Sequence, residues 1–276
     1  MSTTVFFHAH PDDEAIGTGG TMARLHDEGH RVVLVLATRG ELGEPVPGVL
    51  RDGEALWERR VEETYRSASI LGASRVEFLG YRDSGMIGEP TNDDEHAFWQ
   101  ADVDDAAHRL AAVLRGEQAD VLVVYDDHGG YGHPDHIQVH RVGVRAAALA
   151  GTPLVYEMTM NRDRIRAQVA NRELPTDDNG DDAFDERELE AFGSPEDLIT
   201  HAIDIRAQLP RKREAMLAHA SQIAPDSFFL QMPEDVFAAA FGTEWYIEHG
   251  APRPAGEPLR TTFLPAAAPS GADRPS

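Results

Sequence analysis

The chain has 276 residues, enough to bury a substantial core in one large domain. Its 48 acidic against 25 basic residues give a formal charge of -23, which argues against nucleic acid and anionic membranes as partners, and the absence of cysteine excludes disulfides, thiolate metal ligands and a cysteine nucleophile. No apolar run approaches the roughly 20 residues of a membrane span, and Met1 to Val5 has neither the charged nor the long apolar region of a signal peptide, so a cytoplasmic protein is expected.

In chain order, Val5-Phe6-Phe7 reads as the first strand, followed by a helix from Glu14 to Glu28 that Gly29 ends. Arg31 to Ala37 is the second strand, Asp52 to Leu71 the second helix, closed by Gly72, and Val76 to Leu79 a short third strand. A third helix spans Asp102 to Arg115 and a fourth strand Val121 to Tyr125, before a helix from Pro134 to Ala150 whose proline suits its first turn. Leu154 to Glu157 resembles a further strand. Strands alternating with amphipathic segments imply right-handed βαβ units and a parallel sheet.

Beyond Glu157 the regularity fades, and Arg172 to Glu188 is polar and acidic, as in a loop or insertion. Ile199 to Ile205 alternates like a strand, Gln208 to Ala220 has helical spacing, and Thr243 to Glu248 is a last strand. The expected architecture is α/β: a Rossmann-like, largely parallel sheet with helices on both faces, plus a smaller C-terminal lobe or lid. Residues 1–160 would form the catalytic core, 161–264 the C-terminal completion or lid of the same domain, and 265–276 a disordered low-complexity tail.

Two clusters carry the chemistry: His10-Pro11-Asp12-Asp13-Glu14 and His133-Pro134-Asp135-His136. Each follows a strand and precedes a helix, so each sits at the carboxyl end of a strand, where open parallel sheets form their sites. Imidazole and carboxylate suit zinc or another divalent cation, and three protein ligands leave one position for water. A spacing of three lets His10 and Asp13 converge on one spot, with Asp12 aimed elsewhere. His10, Asp13 and His136 are assigned to the metal, and Asp12 and His133 are left for proton transfer. The combination predicts a metal-dependent hydrolase.

These segments, with Gly129 to Gly132 and Arg82-Asp83-Ser84-Gly85-Met86, resemble the PIG-L/LmbE-like zinc-dependent N-deacetylases, most closely the bacterial members that act on mycothiol precursors. The resemblance covers roughly residues 3 to 160, with a fainter echo in Lys212 to Gln222, and two matched motifs in order are more specific than either alone. It implies removal of the acetyl group from an N-acetylglucosaminyl compound. Carried over, it makes Asp12 the general base, Tyr131 and His133 stabilisers of the oxyanion, and Asp135 the partner that orients His133. Glu44, Arg60 and Asp83 fall where the family holds the sugar or frames its pocket. The chemistry agrees: amide hydrolysis needs an activated water, stabilised charge on the carbonyl oxygen, and a proton for the departing amine.

Blander readings compete at several positions. Asp12 could cap the helix that begins near Glu14, and Glu14 is expected to be a structural partner rather than a ligand. His8 is expected to be packed and hydrogen-bonded, His128 has no assignment, and Arg60 could lie on the outer face of its helix. Asp177 to Asp182 lacks the ligand pattern of a calcium loop and reads as a solvated acidic segment. Gly17-Thr18-Gly19-Gly20 has Met22 where a dinucleotide fingerprint needs its third glycine, so these glycines are expected to be close-packing points. Two other functions compete: an amidase for a larger N-acyl glucosamine conjugate, such as a mycothiol S-conjugate, and a non-catalytic nucleotide- or sugar-binding module. Survival of a general base beside a full ligand set weighs against mere binding. A homo-oligomer is compatible with the sequence.

Overall fold

The structure, a computed structural model, describes residues 1–171 and 186–264. Strand β1 (Thr3–His8) is followed by a π-helical turn (Glu14–Thr18) and α1 (Gly19–Asp27), then β2 (Arg31–Leu36), α2 (Leu56–Leu71), β3 (Arg75–Phe78), α3 (Val103–Glu117) and β4 (Val121–Tyr125). A short helical turn α4 (Gly129–Gly132) leads into α5 (Pro134–Ala150), β5 (Leu154–Thr159), α6 (Arg162–Ala170), α7 (Glu186–Ala191), β6 (His201–Asp204), α8 (Leu209–Ala218), α9 (Phe228–Gln231), α10 (Glu234–Phe241) and β7 (Thr243–Glu248).

The strands form one sheet in the order β3-β2-β1-β4-β5-β7-β6. Its first five strands are parallel, and β7 pairs antiparallel with both β5 and β6. Val5 to Phe7, Val32 to Leu36 and Val121 to Tyr125 are buried throughout, as expected when both faces of a parallel sheet are covered. One layer of helices packs α1 and α2 with α8, and the other packs α3 with α5. The chain leaves β1 for β2 on one side and returns to β4 on the other, so a crevice opens between the carboxyl ends of β1 and β4. Both motif turns border it.

Local chemistry sets several boundaries. Asp102 accepts from the Asp105 backbone N–H at 3.0 Å and caps α3, and Pro134 takes the first turn of α5, where its missing N–H costs nothing. The single helix expected from Glu14 is instead a π-helical turn joined to α1 at Thr18, whose hydroxyl lies 2.8 Å from His8 Nε2. Gly17 and Gly20 are close-packing points, since a Cβ would fall 2.8 Å from Met158 Cε and 2.5 Å from Ile205 Cγ1.

Past Glu157 the structure is more regular than the sequence predicts. Asn161 caps α6 by accepting from the Arg164 N–H at 3.0 Å, but the helix is polar around most of its circumference and shows no apolar stripe. The C-terminal strands extend the main sheet, and α8 packs on the amino-terminal helices. Most of the stretch predicted as an acidic loop, including Asp177 to Asp182, and the tail predicted from residue 265 lie outside the described residues. Among those described, no helix is long and apolar enough to cross a membrane.

Candidate metal centre

After β1 the chain turns sharply through Pro11 and Asp12. Asp12 has φ 90, a left-handed conformation that a residue with a Cβ adopts at a cost of about 1–3 kcal/mol. The turn is held by Glu14 Oε2, which accepts from the Asp12 N–H at 3.1 Å, and by the Asp12 carbonyl, which accepts from Ala15 and Ile16. It sends the two neighbouring carboxylates apart. Asp13 turns to His10 and His136, whereas Asp12 turns to Arg60, whose Nη2 lies 3.3 Å away. The Asp12 side chain caps no helix.

The second turn aims His136. Its Nδ1 lies 3.2 Å from the Gly129 carbonyl, so the proton sits there and the Nε2 lone pair is left facing the crevice. Gly129 permits this approach: its φ is 72, and a Cβ would fall 2.7 Å from His136 Cβ. His136 Nε2 is buried without a hydrogen-bond partner, 3.4 Å from Asp13 Oδ2. Buried polar atoms rarely lack partners, and an unpaired imidazole nitrogen pointing at a carboxylate is what a bound cation would satisfy.

The same Asp13 Oδ2 lies 3.3 Å from His10 Nδ1. Tetrahedral ligands roughly 2.0–2.1 Å from one zinc ion are separated by about 3.3 Å, so these spacings fit a common cation. The ring centroids of His10 and His136 are 5.4 Å apart. One atom from each of His10, Asp13 and His136 falls within 4.8 Å of the others, as expected for the sequence-assigned ligands, and His10, Asp83 and His133 form a second such set.

The site is rich in negative charge. Burial alone would lower the His10 pKa, but the carboxylates of Asp83, Asp13 and Asp135 around the ring outweigh it and raise it well above the ordinary value. Burial would likewise raise Asp13, yet His136 and His10 hold it well below the usual carboxylate range. Asp12 differs: burial, only partly offset by Arg60, pushes it up to about 6. His133 is pushed down to about 3 by burial and by His10 and His136.

The remaining sequence-assigned residues divide. His133 lines the crevice, its ring centroid 4.7 Å from that of His10, and Tyr131 packs edge-on against His136 and His133 with part of its ring exposed. Burial raises the Tyr131 pKa, which keeps its hydroxyl a donor. Asp135, expected to orient His133, meets it through its backbone rather than its carboxylate. That carboxylate lies 3.1 Å from His10 Nε2 and accepts from Ser84, while only the Asp135 backbone N–H reaches His133 Nδ1, at 3.1 Å. Accepting at Nδ1 leaves the His133 proton on Nε2, from which a neutral ring can donate.

Arg60 is not on an outer face. It is buried, donating to the carbonyls of Pro11 and Gly40 besides Asp12. Gly40, at φ 65, leaves the room, since a Cβ there would overlap the guanidinium. Asp83 lies deeper than a sugar-binding rim, 3.5 Å from His10 Nε2 and accepting from Leu42 and Gly85. Glu44 is exposed, with its backbone carbonyl toward Gln222. His8 is packed between Thr18 and Tyr125, as expected, and burial lowers its pKa to about 4. Glu14 is fully buried and accepts from Ser67 and pairs with His219, both at 2.6 Å. The sequence assigns no role to His219, Ser67, Ser84 or Tyr125, although Ser84 lies in the Arg82 to Met86 motif and His219 in the Lys212 to Gln222 stretch.

A cavity of about 420 Å³ lies beside Asp13 and His136, bordered by β5, α6, α10 and β7, with Ile16, Met158, Met160, Ile165, Phe241 and Trp245 among its apolar walls. A more open depression of about 580 Å³ near His26, His30 and Tyr65 contains none of the candidate ligands.

Residues 5–147 match the family model described as PIG-L: GlcNAc-PI de-N-acetylase. The 1D-myo-inositol 2-acetamido-2-deoxy-alpha-D-glucopyranoside deacetylase of Thermobifida fusca is 47% identical over 237 residues, covering 79% of this chain and 82% of that protein. The similarity therefore runs well past residue 160, beyond which the sequence shows only the fainter echo in Lys212 to Gln222. Among solved structures, the N,N'-diacetylchitobiose deacetylase of Pyrococcus horikoshii superposes with a TM-score of 0.59 at 21% identity, over 90% of this chain and 83% of that one. The 4-carboxy-2-hydroxymuconate hydratase of Pseudomonas putida superposes at 0.57 with 19% identity, over 94% and 100%. Two such different activities on one architecture mean that the fold alone does not name the reaction.

Proposed function

Because the chain belongs to the PIG-L family, we propose that it is an N-deacetylase that hydrolyses the acetamido group of an N-acetylglucosaminyl compound, with 1D-myo-inositol 2-acetamido-2-deoxy-alpha-D-glucopyranoside as the substrate. One observation carries the reading beyond kinship: a single oxygen of Asp13 sits between His10 Nδ1 and the unpartnered Nε2 of His136, while Asp12 beside it points away with a raised pKa. We assign His10, Asp13 and His136 as ligands of zinc or another divalent cation, which when bound polarises the amide carbonyl and makes a water acidic near neutral pH.

The chain's own groups do the rest. Asp12, steered by Arg60, takes a proton from the attacking water and returns it to the amine nitrogen as the C–N bond breaks. The neutral His133 donates from Nε2, and Tyr131 from its hydroxyl, to the oxygen on which charge develops. Asp135 anchors His10, Asp83 and Arg60 shape the sugar side of the crevice, and Glu44 offers an acceptor at its edge. Residues 1–160 act as the catalytic core and 161–264 as its completion, in a cytoplasmic enzyme of small amino sugars.

The test is stoichiometric. Incubation with the inositol glycoside should yield one acetate and one free amine per turnover; chelation should abolish release and added zinc restore it. No acetate under any metal, or release untouched by chelation, would refute the proposal.

A further inference from the structure

Resting on the deacetylase reading, we infer that the cavity beside Asp13 and His136 is an acyl subsite, and that the enzyme also hydrolyses N-acyl glucosaminyl compounds whose acyl group is a straight, uncharged chain of about four to six carbons.

The candidate centre has two unlike flanks. Toward β2 lie Asp12, Arg60 and Asp83, tied to the loop at Gly40 and Leu42 by hydrogen bonds. Toward β5 and β7 lies the cavity, whose wall includes Asp13, His136 and Tyr131 but none of Asp12, Arg60, Asp83 or Glu44. An amide held at the centre has an amine end and an acyl end. Asp12 returns its proton to the nitrogen, so the amino sugar belongs on the β2 flank. The carbonyl substituent then points toward the cavity.

The size and lining of the cavity suit a longer substituent than methyl. A methyl group is comparable in volume with one water, about 30 Å³, and the cavity holds about 420 Å³. Ile16, Met158, Met160, Ile165 and Trp245 contribute apolar surface. On the far wall Lys212 Nζ donates to Glu244 Oε1 at 2.7 Å and to the Ile16 carbonyl at 2.6 Å, while Arg164 is exposed, its guanidinium 6.0 Å from the Trp245 ring centroid. With the buried Lys212–Glu244 pair satisfied, the apolar part of the lining favours an apolar occupant, and each methylene moved out of water strengthens binding roughly fourfold. The reaction balances as for acetyl: water oxygen bonds to the carbonyl carbon, the C–N bond breaks, the nitrogen leaves as an amine with the transferred proton, and a short-chain carboxylate remains.

The experiment compares N-acetyl and N-hexanoyl forms of one glucosaminyl glycoside on the metal-loaded full chain, with acetate and hexanoate as product inhibitors. We expect hexanoyl hydrolysis with KM at least tenfold below that for acetyl, and competitive inhibition by hexanoate at least tenfold tighter than by acetate. Met160→Trp and Ile165→Trp, which narrow the cavity from two elements, should each lower the hexanoyl-to-acetyl ratio of kcat/KM at least tenfold. Should a variant fail to fold, the wild-type comparison still decides. Cleavage of the acetyl form with no cleavage of the hexanoyl form, equal inhibition by the two acids, or an unchanged ratio in both folded variants overturns the acyl subsite and leaves the deacetylase reading intact. Cleavage of neither form removes both.

Discussion

Asp12 and Asp13 are adjacent carboxylates that the backbone sends to different work. Asp13, between two imidazoles, is held ionised, while Asp12, half-buried against a single guanidinium, is pushed up to about 6. Environments that drive neighbouring pKa values apart mark the division between ligand and proton carrier. Replacing Asp12 by Ala should therefore lower kcat by roughly 10²–10⁴ while leaving metal content near wild type; equal loss of metal and activity would make Asp12 a ligand instead. The spacing of three between His10 and Asp13, repeated between His133 and His136, made the candidate ligand cluster legible in the sequence. What Arg60 and Asp135 touch was not legible, because both contacts join segments distant along the chain: Arg60 reaches back 48 residues to Asp12, and Asp135 spans 125 to His10.

At the scale of elements, the strand-to-helix turns matter more than the helices themselves. The loop at Gly129 fixes the tautomer of His136, and the π-helical turn after Asp13 holds the strained Asp12 through Glu14, Ser67 and His219. Gly129→Ala would strain a left-handed residue and push the His136 ring off its carbonyl, so metal affinity should fall about 10–100-fold, measured by competition with a chelator. Unchanged affinity would mean that the carbonyl does not set the ring. The parallel strands and their helices could be read from periodicity because each buries an apolar face. α6 could not, since its polar circumference is stabilised by the Asn161 cap and contacts from distant segments.

At the scale of the whole molecule, the sheet order brings the carboxyl ends of β1 and β4 together, while the antiparallel β7 contributes to one wall of the cavity and β6 forms the far edge of the sheet. Burial has a pH cost there. His201 in β6 is enclosed, and burial, aided by Arg260, lowers its pKa to about 4. The unfolded chain takes up a proton near pH 6.5 that the folded chain refuses until about 4, so stability is lost as pH falls through that window, by on the order of 2 kcal/mol. His201→Gln should flatten the decline of Tm between pH 7 and 5 relative to wild type; parallel curves would exclude His201 as a source. Above all, the two turns must meet around one cation. Anomalous diffraction from zinc-loaded crystals should place a single peak about 2 Å from nitrogens of His10 and His136 and an oxygen of Asp13. A peak coordinated instead by Asp83 and His133 would contradict it.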